Sequence, residues 1–288
     1  MDTIQVSIIL NEEKIKGLNP FDLQRVRKDI NGIRSPYGYT YCDCLEISKN
    51  TNFIVKISYP RFFAGVNAFL ISDKTQCTQV QWDFSLNLNN HPVLCDAQIK
   101  LDRVDIPFTF IMGPDYDFNS YRKVYQVFDY VYRKKNSKSN PKAYTNVSEY
   151  KPETIIYSDQ PQISKYNKRI MFYDQYNNLR IKTEDDEKFH EMEMKYDELS
   201  RRMRIETSSR ISRLAISIQE FADYPIFSTY LPQFKEHILY SLFDLNEVNN
   251  FYNEKSVELA NKILCYREET NNFLYEIFIY REIKHIYD

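Results

Sequence analysis

The sequence predicts an α+β fold: a central, mainly antiparallel sheet with flanking helices, followed by a helical C-terminal region. Three observations carry this. Short apolar or alternating runs bounded by polar turns recur through residues 1–209. Amphipathic stretches with helix-start signals interrupt them. From residue 210 onward alternation disappears, and apolar residues return at intervals of three and four: Ile211, Leu214, Ile218 and Phe221, then Leu259, Ile263 and Tyr266. The expected division is an α+β unit over 1–209 and a helical region over 210–288, packed on that core or appended to it.

The elements follow in order. Residues 3–10 read as an opening strand. Asn19-Pro20 supplies an N-cap and a first-turn proline for a short amphipathic helix over 21–30. Strands over 37–47 and 52–59 are joined by the polar turn 48–51, and alternation predicts a further strand over 78–86. The next β run, 98–112, contains Pro107, which calls for an edge position or a bulge. Residues 118–135 follow helical spacing and end on Arg133-Lys134-Lys135, which suits the negative end of the helix dipole. A polar, basic loop extends to about 152. Strands over 153–158 and 169–175 flank a polar link, and 203–207 is the last β stretch. No internal repeat is visible.

Composition bounds the function. The 288 residues suffice for a substantial core, and with 43% hydrophobic and 27% charged residues the chain has an ordinary globular balance. Only 5 glycines occur, against 24 tyrosines and 19 phenylalanines, which argues against a glycine-rich phosphate loop or a dinucleotide fold. No stretch approaches the roughly 18 apolar residues of a membrane span. The first residues lack the basic start and apolar block of a secretory signal, so a cytoplasmic location and no membrane partner are expected. Cysteines 42, 44, 77, 95 and 265 show no zinc-binding spacing; Cys42 and Cys44 share one face of a strand, and free thiols are expected. The four histidines are scattered, with no His-x-His pair.

Net charge is −2, but its distribution is uneven. Arg133, Lys134, Lys135, Lys138, Lys142 and Lys151 fall in one stretch with Glu149 as the single acid. Residues 165–182 add Lys165, Lys168, Arg169, Arg180 and Lys182, and residues 201–213 add Arg201, Arg202, Arg204, Arg210 and Arg213. An acidic block, 184–198, separates the last two groups. Positive charge thus flanks the strands of greatest interest, as a phosphate-binding face requires.

Those strands are 99–106, 168–175 and 201–206. Each sets a chemically capable residue in an otherwise buried β run: Asp105, Tyr173 and Glu206. Period-2 geometry aims alternate side chains at one sheet face. The three can therefore meet as two carboxylates for a divalent cation and a phenol to attack a phosphate. A carboxylate inside an apolar strand is costly without a partner, so an ion pair of Asp105 with Arg103 or Arg204 is the competing expectation. Asp102 is expected on the opposite face of a regular strand from Asp105.

The segments Asp102-Arg103-Val104-Asp105-Ile106, Arg169-Ile170-Met171-Phe172-Tyr173-Asp174 and Met203-Arg204-Ile205-Glu206 occur in that order. In this they resemble the rolling-circle replication initiators of filamentous phages and small plasmids, over roughly residues 95–210. The resemblance implies a relaxase-like initiator/nuclease domain over 1–209. It implies Mg²⁺ or Mn²⁺ on Asp105 and Glu206, with Tyr173 or the nearby Tyr176 as nucleophile. The enzyme would join the 5′ end of the nicked strand and free a 3′ hydroxyl for synthesis. Arg133, Lys134, Lys135, Lys138, Lys168, Arg169 and Arg204 are the expected DNA-binding residues. DNA at the origin and on the nicked strand would be the partner, with a host helicase and polymerase downstream and a homodimer as the assembly many such initiators use. Two positions depart from the family pattern: Gln175 stands where a lysine is common, and no glutamate closely follows the tyrosine. The competing readings are a non-catalytic origin-binding replication or maintenance protein and a protein whose C-terminal helices bind a partner.

Overall fold

Alternation in strand β1 (Thr3–Ile9) sends Ile4, Val6 and Ile8 to one side, where all three are fully buried. That side organises the fold. In the computed structural model, which describes residues 1–49, 51–112, 118, 154–158, 167–183, 185–196 and 198–236, β1 lies within one curled antiparallel sheet. Its other strands are β2 (Cys42–Ile47), β3 (Phe53–Ser58), β4 (Gln98–Ile111), β5 (Thr154–Ser158), β6 (Lys168–Asp174) and β7 (Arg202–Arg210). Their order is β2-β3-β1-β4-β7-β6-β5, and a short β8 (Ile216–Ser217) adds to the start of β4. The expected helix over 118–135 (apart from Phe118, which is buried), the basic residues Arg133, Lys134, Lys135 and Lys138, and residues 237–288 lie outside the described residues.

Helices cover the apolar face. After α1 (Glu12–Lys16), helix α2 (Pro20–Asn31) starts as its sequence requires. The Asn19 side chain accepts from the Phe21 and Asp22 amides, and Asp22 returns a bond to the Asn19 amide, a complete capping box with proline in the first turn. Asn19→Ala is expected to lower stability by about 1 kcal/mol, read as a lower midpoint in thermal unfolding. After α3 (Tyr59–Ala64), the chain reverses at Gly65, whose φ of +72° is left-handed. The ring of Tyr39 lies against Gly65 so closely that a Cβ there would fall 2.7 Å from it.

Residues 78–86 are not a strand. They belong to helix α4 (Lys74–Asn89), capped by the Asp73 carboxylate on the Thr75 amide. The alternating Val80, Trp82, Phe84 and Leu86 imitate a strand. The buried positions, however, are Cys77, Val80, Gln81, Phe84, Ser85 and Leu88, a helical stripe, while Trp82 and Leu86 are exposed. Two polar members hide the stripe: Gln81 is buried because its amide holds the carbonyls of Phe221 and Tyr224.

The helical region expected from residue 210 begins only at Ile218: residues 211–215 are irregular, Ile216–Ser217 form β8, and Leu214 of the expected stripe is 90% exposed. Helices α7 (Ile218–Asp223) and α8 (Ile226–Glu236) place Ile218, Phe221, Ile226 and Tyr230 in the same core as β1, β3 and β4. Helices α5 (Gln175–Lys182) and α6 (Asp186–Lys195), with a 3₁₀ turn at Leu199–Arg201, lie between β6 and β7. They build a smaller apolar cluster of Leu179, Phe189, Met192 and Leu199 around Ala68. Pro107 sits where β4 has outrun β1, whose pairing ends at Thr3 opposite Asp105, so it occupies an edge on that side. No helix among the described residues is long and apolar enough to cross a membrane.

The opposite sheet face is polar. Ser58, Thr3, Asp105, Ser208 and Arg169 stand directly across from one another on β3, β1, β4, β7 and β6. Asp102 breaks the expected alternation. Gln5 pairs with Arg103 but Val6 pairs with Leu101, so Asp102 is the extra residue of a β-bulge. Its carboxylate accepts from Ser7 of β1, whose alternate neighbours Gln5 and Thr3 share the face of Asp105.

Candidate functional site

Register brings the three motifs together. On β7, Arg204, Glu206 and Ser208 alternate onto the polar face; opposite them on β6 stand Tyr173, Met171 and Arg169. Across β4, Asp105 faces Ser208. The Tyr173 hydroxyl donates to Glu206 Oε2 at 3.2 Å. Asp105, Tyr173, Glu206 and Arg204 are all buried, so the site is closed to solvent in this state.

Asp105 pairs with Arg103, Oδ2 to Nη2 at 3.0 Å, as the ion-pair expectation had it. Its Oδ1 is buried without a hydrogen-bond partner. Burial pushes the Asp105 carboxyl above its ordinary value, against the opposing pull of Arg103 and the Ser208 hydroxyl. Glu206 is pushed up to about 7, first by burial and then by the negative charge of Asp105 and Asp2. Asp2 is the acid that sequence reasoning missed. It is buried beside β4, its amide bonds the Asp105 carbonyl, and its Oδ1 also lacks a partner. No sequence signal marked it, because only the pairing of β1 with β4 carries residue 2 to residue 105.

Arg204 is the largest fully buried side chain. Its Nη1 donates to the Asn67 carbonyl at 3.2 Å and to Asn67 Oδ1 at 2.9 Å, whereas Nε and Nη2 are buried without partners. A guanidinium with two idle donors in a dry site fits an anionic oxygen. Gln175 bonds the carbonyls of Asn67 and Ala68, each at 3.2 Å. Arg202 Nη1 adds a bond to Ala68 at 2.8 Å. Gln175, Arg202 and Arg204 therefore fix the segment before α4 against the sheet.

Burial pushes the Tyr173 phenol well above its ordinary value; Glu206 adds to this and Arg204 opposes it. Tyr176 is elsewhere. It lies in the first turn of α5, half-exposed, with its hydroxyl on Glu193 Oε1 at 2.6 Å and its ring edge-on to Phe189. Of the predicted cations, Arg169 is half-buried, donates to Ser208 Oγ at 3.4 Å, and its charge draws Asp105 and Glu206 toward their ionised forms. Lys168 lies on β6 beside it in sequence.

The donor set suits a hard cation: carboxylate oxygens of Asp105, Glu206 and Asp2, two of them with an unpartnered buried oxygen. Among the described residues, however, no three His, Cys, Asp or Glu side chains are grouped so that they could hold a metal ion together. Arg103 holds one Asp105 oxygen and Tyr173 one Glu206 oxygen instead. Comparison with family models, characterised proteins and solved structures gives no match to this chain. Its chemistry is therefore read from its own residues.

Proposed function

We propose that this chain is a replication initiation protein that nicks and rejoins DNA at an origin through a tyrosine–phosphodiester intermediate, starting rolling-circle replication. One observation carries the reading. Tyr173 donates to Glu206 beside a buried Arg204 with two idle donors, and Asp105 holds the same sheet face. A phosphoryl oxygen satisfies the Arg204 donors. The Tyr173 oxygen then attacks phosphorus, and Glu206, raised toward neutrality, is placed to take the phenolic proton. The bond from phosphorus to the 3′ oxygen breaks, the proton on Glu206 passes to that oxygen to give a 3′ hydroxyl, and the 5′ phosphate stays on tyrosine; rejoining reverses these steps. Mg²⁺ or Mn²⁺ held by Asp105 and Glu206, with Asp2 as a further donor, would supply Lewis-acid polarisation of the phosphate.

Closure of the site favours a second reading, origin binding without catalysis, because Tyr173 is only 6% exposed. The test is supercoiled DNA of the replicon that encodes the chain, incubated with the full-length protein and Mn²⁺. The expected result is open-circular DNA with protein attached to the 5′ end of the nicked strand. Tight origin binding with no nick under Mg²⁺, Mn²⁺ or Co²⁺ overturns the enzymatic reading in favour of the second.

A further inference from the structure

We infer that the cleft between the C-terminal ends of α2 and α4 binds a small zwitterion, an α-amino acid with an apolar side chain. The cleft lies on the helix-covered side of the sheet, apart from the acids of the polar face, and owes nothing to the proposed function. Its volume of about 380 Å³ falls in the range of small-molecule sites. Buried Ile30, Leu88 and Leu94 supply its apolar lining.

Three polar groups line the same cleft: Asp29 in the last turn of α2, Asn87 in the last turn of α4, and Arg34 just beyond α2. Each is fixed through one atom and keeps another free. Asp29 Oδ2 accepts from His91 Nε2 at 3.3 Å, and His91 Nδ1 accepts from the Val93 amide at 3.2 Å, which assigns the ring proton to Nε2. A neutral His91 orients Asp29 without cancelling its charge, and Asp29 Oδ1 has no partner among the described residues. Asn87 Nδ2 donates to the Asp83 carbonyl at 2.8 Å and to its carboxylate at 3.2 Å, which leaves Oδ1 as an acceptor. Arg34 Nη1 donates to the Gly38 carbonyl at 2.8 Å. Its Nε and Nη2, which share one edge of the guanidinium, have no partner among the described residues. Asp29 and Arg34 are both exposed and are not paired with each other.

Two free acceptors, one of them charged, and a free donor fork define the ligand. An ammonium group supplies donors to Asp29 and Asn87 and meets the negative ends of both helix dipoles. A carboxylate matches the Arg34 fork. One molecule that carries both groups, with an apolar side chain against Ile30, Leu88 and Leu94, satisfies every part of the cleft. It also accounts for an acid in the last turn of α2, the end of a helix where negative charge is unfavourable.

The probes are L-leucine and L-phenylalanine, titrated into the full-length protein and followed by ligand-observed NMR. Saturable binding of at least one, with a Kd of about 1 mM or tighter, is expected. The methyl ester of the bound amino acid lacks the carboxylate and its N-acetyl form lacks the ammonium; each should bind about tenfold more weakly or worse. Asp29→Asn keeps an acceptor for His91 and removes the charge, and Arg34→Gln removes the fork. Both positions are exposed, so both variants should unfold near the wild-type midpoint while losing about tenfold in affinity. Lys28→Gln, exposed on α2 and outside the cleft, should bind as wild type does. No saturable binding of either amino acid up to about 10 mM overturns the inference. So does equal binding of the blocked forms, or wild-type affinity in both cleft variants. Nicking is measured separately, on DNA, and its presence or absence leaves this result unchanged.

Discussion

Replacing Tyr173 by phenylalanine is expected to abolish protein-linked DNA, with nicking reduced by about a thousandfold or more, as loss of a nucleophile requires. The substitution removes one oxygen. The ring keeps its place on β6 opposite Arg204, and the lost hydroxyl leaves Glu206 without its donor and takes an acceptor from beside Arg204. Folding should survive, with thermal unfolding at pH 6 within about 1 kcal/mol of wild type. Tyr176→Phe is expected to nick normally. Its hydroxyl serves Glu193 on the surface of α6, and no neighbour among the described residues links it to Asp105 or Glu206. The two variants separate the tyrosines that the sequence left as alternatives. Covalent DNA that persists in Tyr173→Phe and disappears in Tyr176→Phe moves the nucleophile onto α5 and removes Glu206 as proton acceptor. Persistence in both single variants removes the tyrosine mechanism for these residues.

Where the sequence could be read, backbone periodicity and local chemistry agreed. Strands β1, β6 and β7 present apolar alternation, and the α2 start carries its cap, proline and reciprocal acid within four residues. Helix α4 could not be read in this way, because Gln81 and Ser85 belong to its buried stripe while Trp82 and Leu86 face outward. Gln81 is buried for the sake of two carbonyls more than a hundred residues away. The site shows the same division. Asp105, Tyr173, Glu206 and Arg204 stood out as polar groups within β runs. Asp2 and Asn67 did not, since each acts only through long-range register or a backbone carbonyl. The bulge at Asp102 is equally hidden, because one inserted residue leaves no mark in composition yet reverses the facing of the positions beyond it.

Glu206→Gln is expected to stabilise the protein at alkaline pH and to leave it nearly unchanged in acid. The folded carboxyl titrates at about 7 against an ordinary 4.5. Below pH 4.5 it is protonated in both states and contributes no difference. As pH rises from 4.5 to 7, the unfolded chain releases the proton while the fold retains it, so stability falls. Above pH 7 the full penalty is present, on the order of 3 kcal/mol. Glutamine has the same shape, keeps an acceptor for Tyr173 and carries no charge, so the penalty disappears. Urea unfolding at pH 4 and pH 8.5 should therefore give curves that coincide in acid and diverge in base, with the variant more stable. Removing the Glu206 charge also relieves Asp105, which acts in the same direction. A divalent cation narrows the gap. If Mn²⁺ binds the acids, wild type at pH 8.5 gains stability with metal concentration, about 2.7 kcal/mol at a hundred times the dissociation constant. The glutamine variant gains far less. Equal responses of the two proteins to pH would mean that Arg169 and Lys56 already neutralise Glu206. Equal responses to Mn²⁺ would remove it from the set of metal ligands.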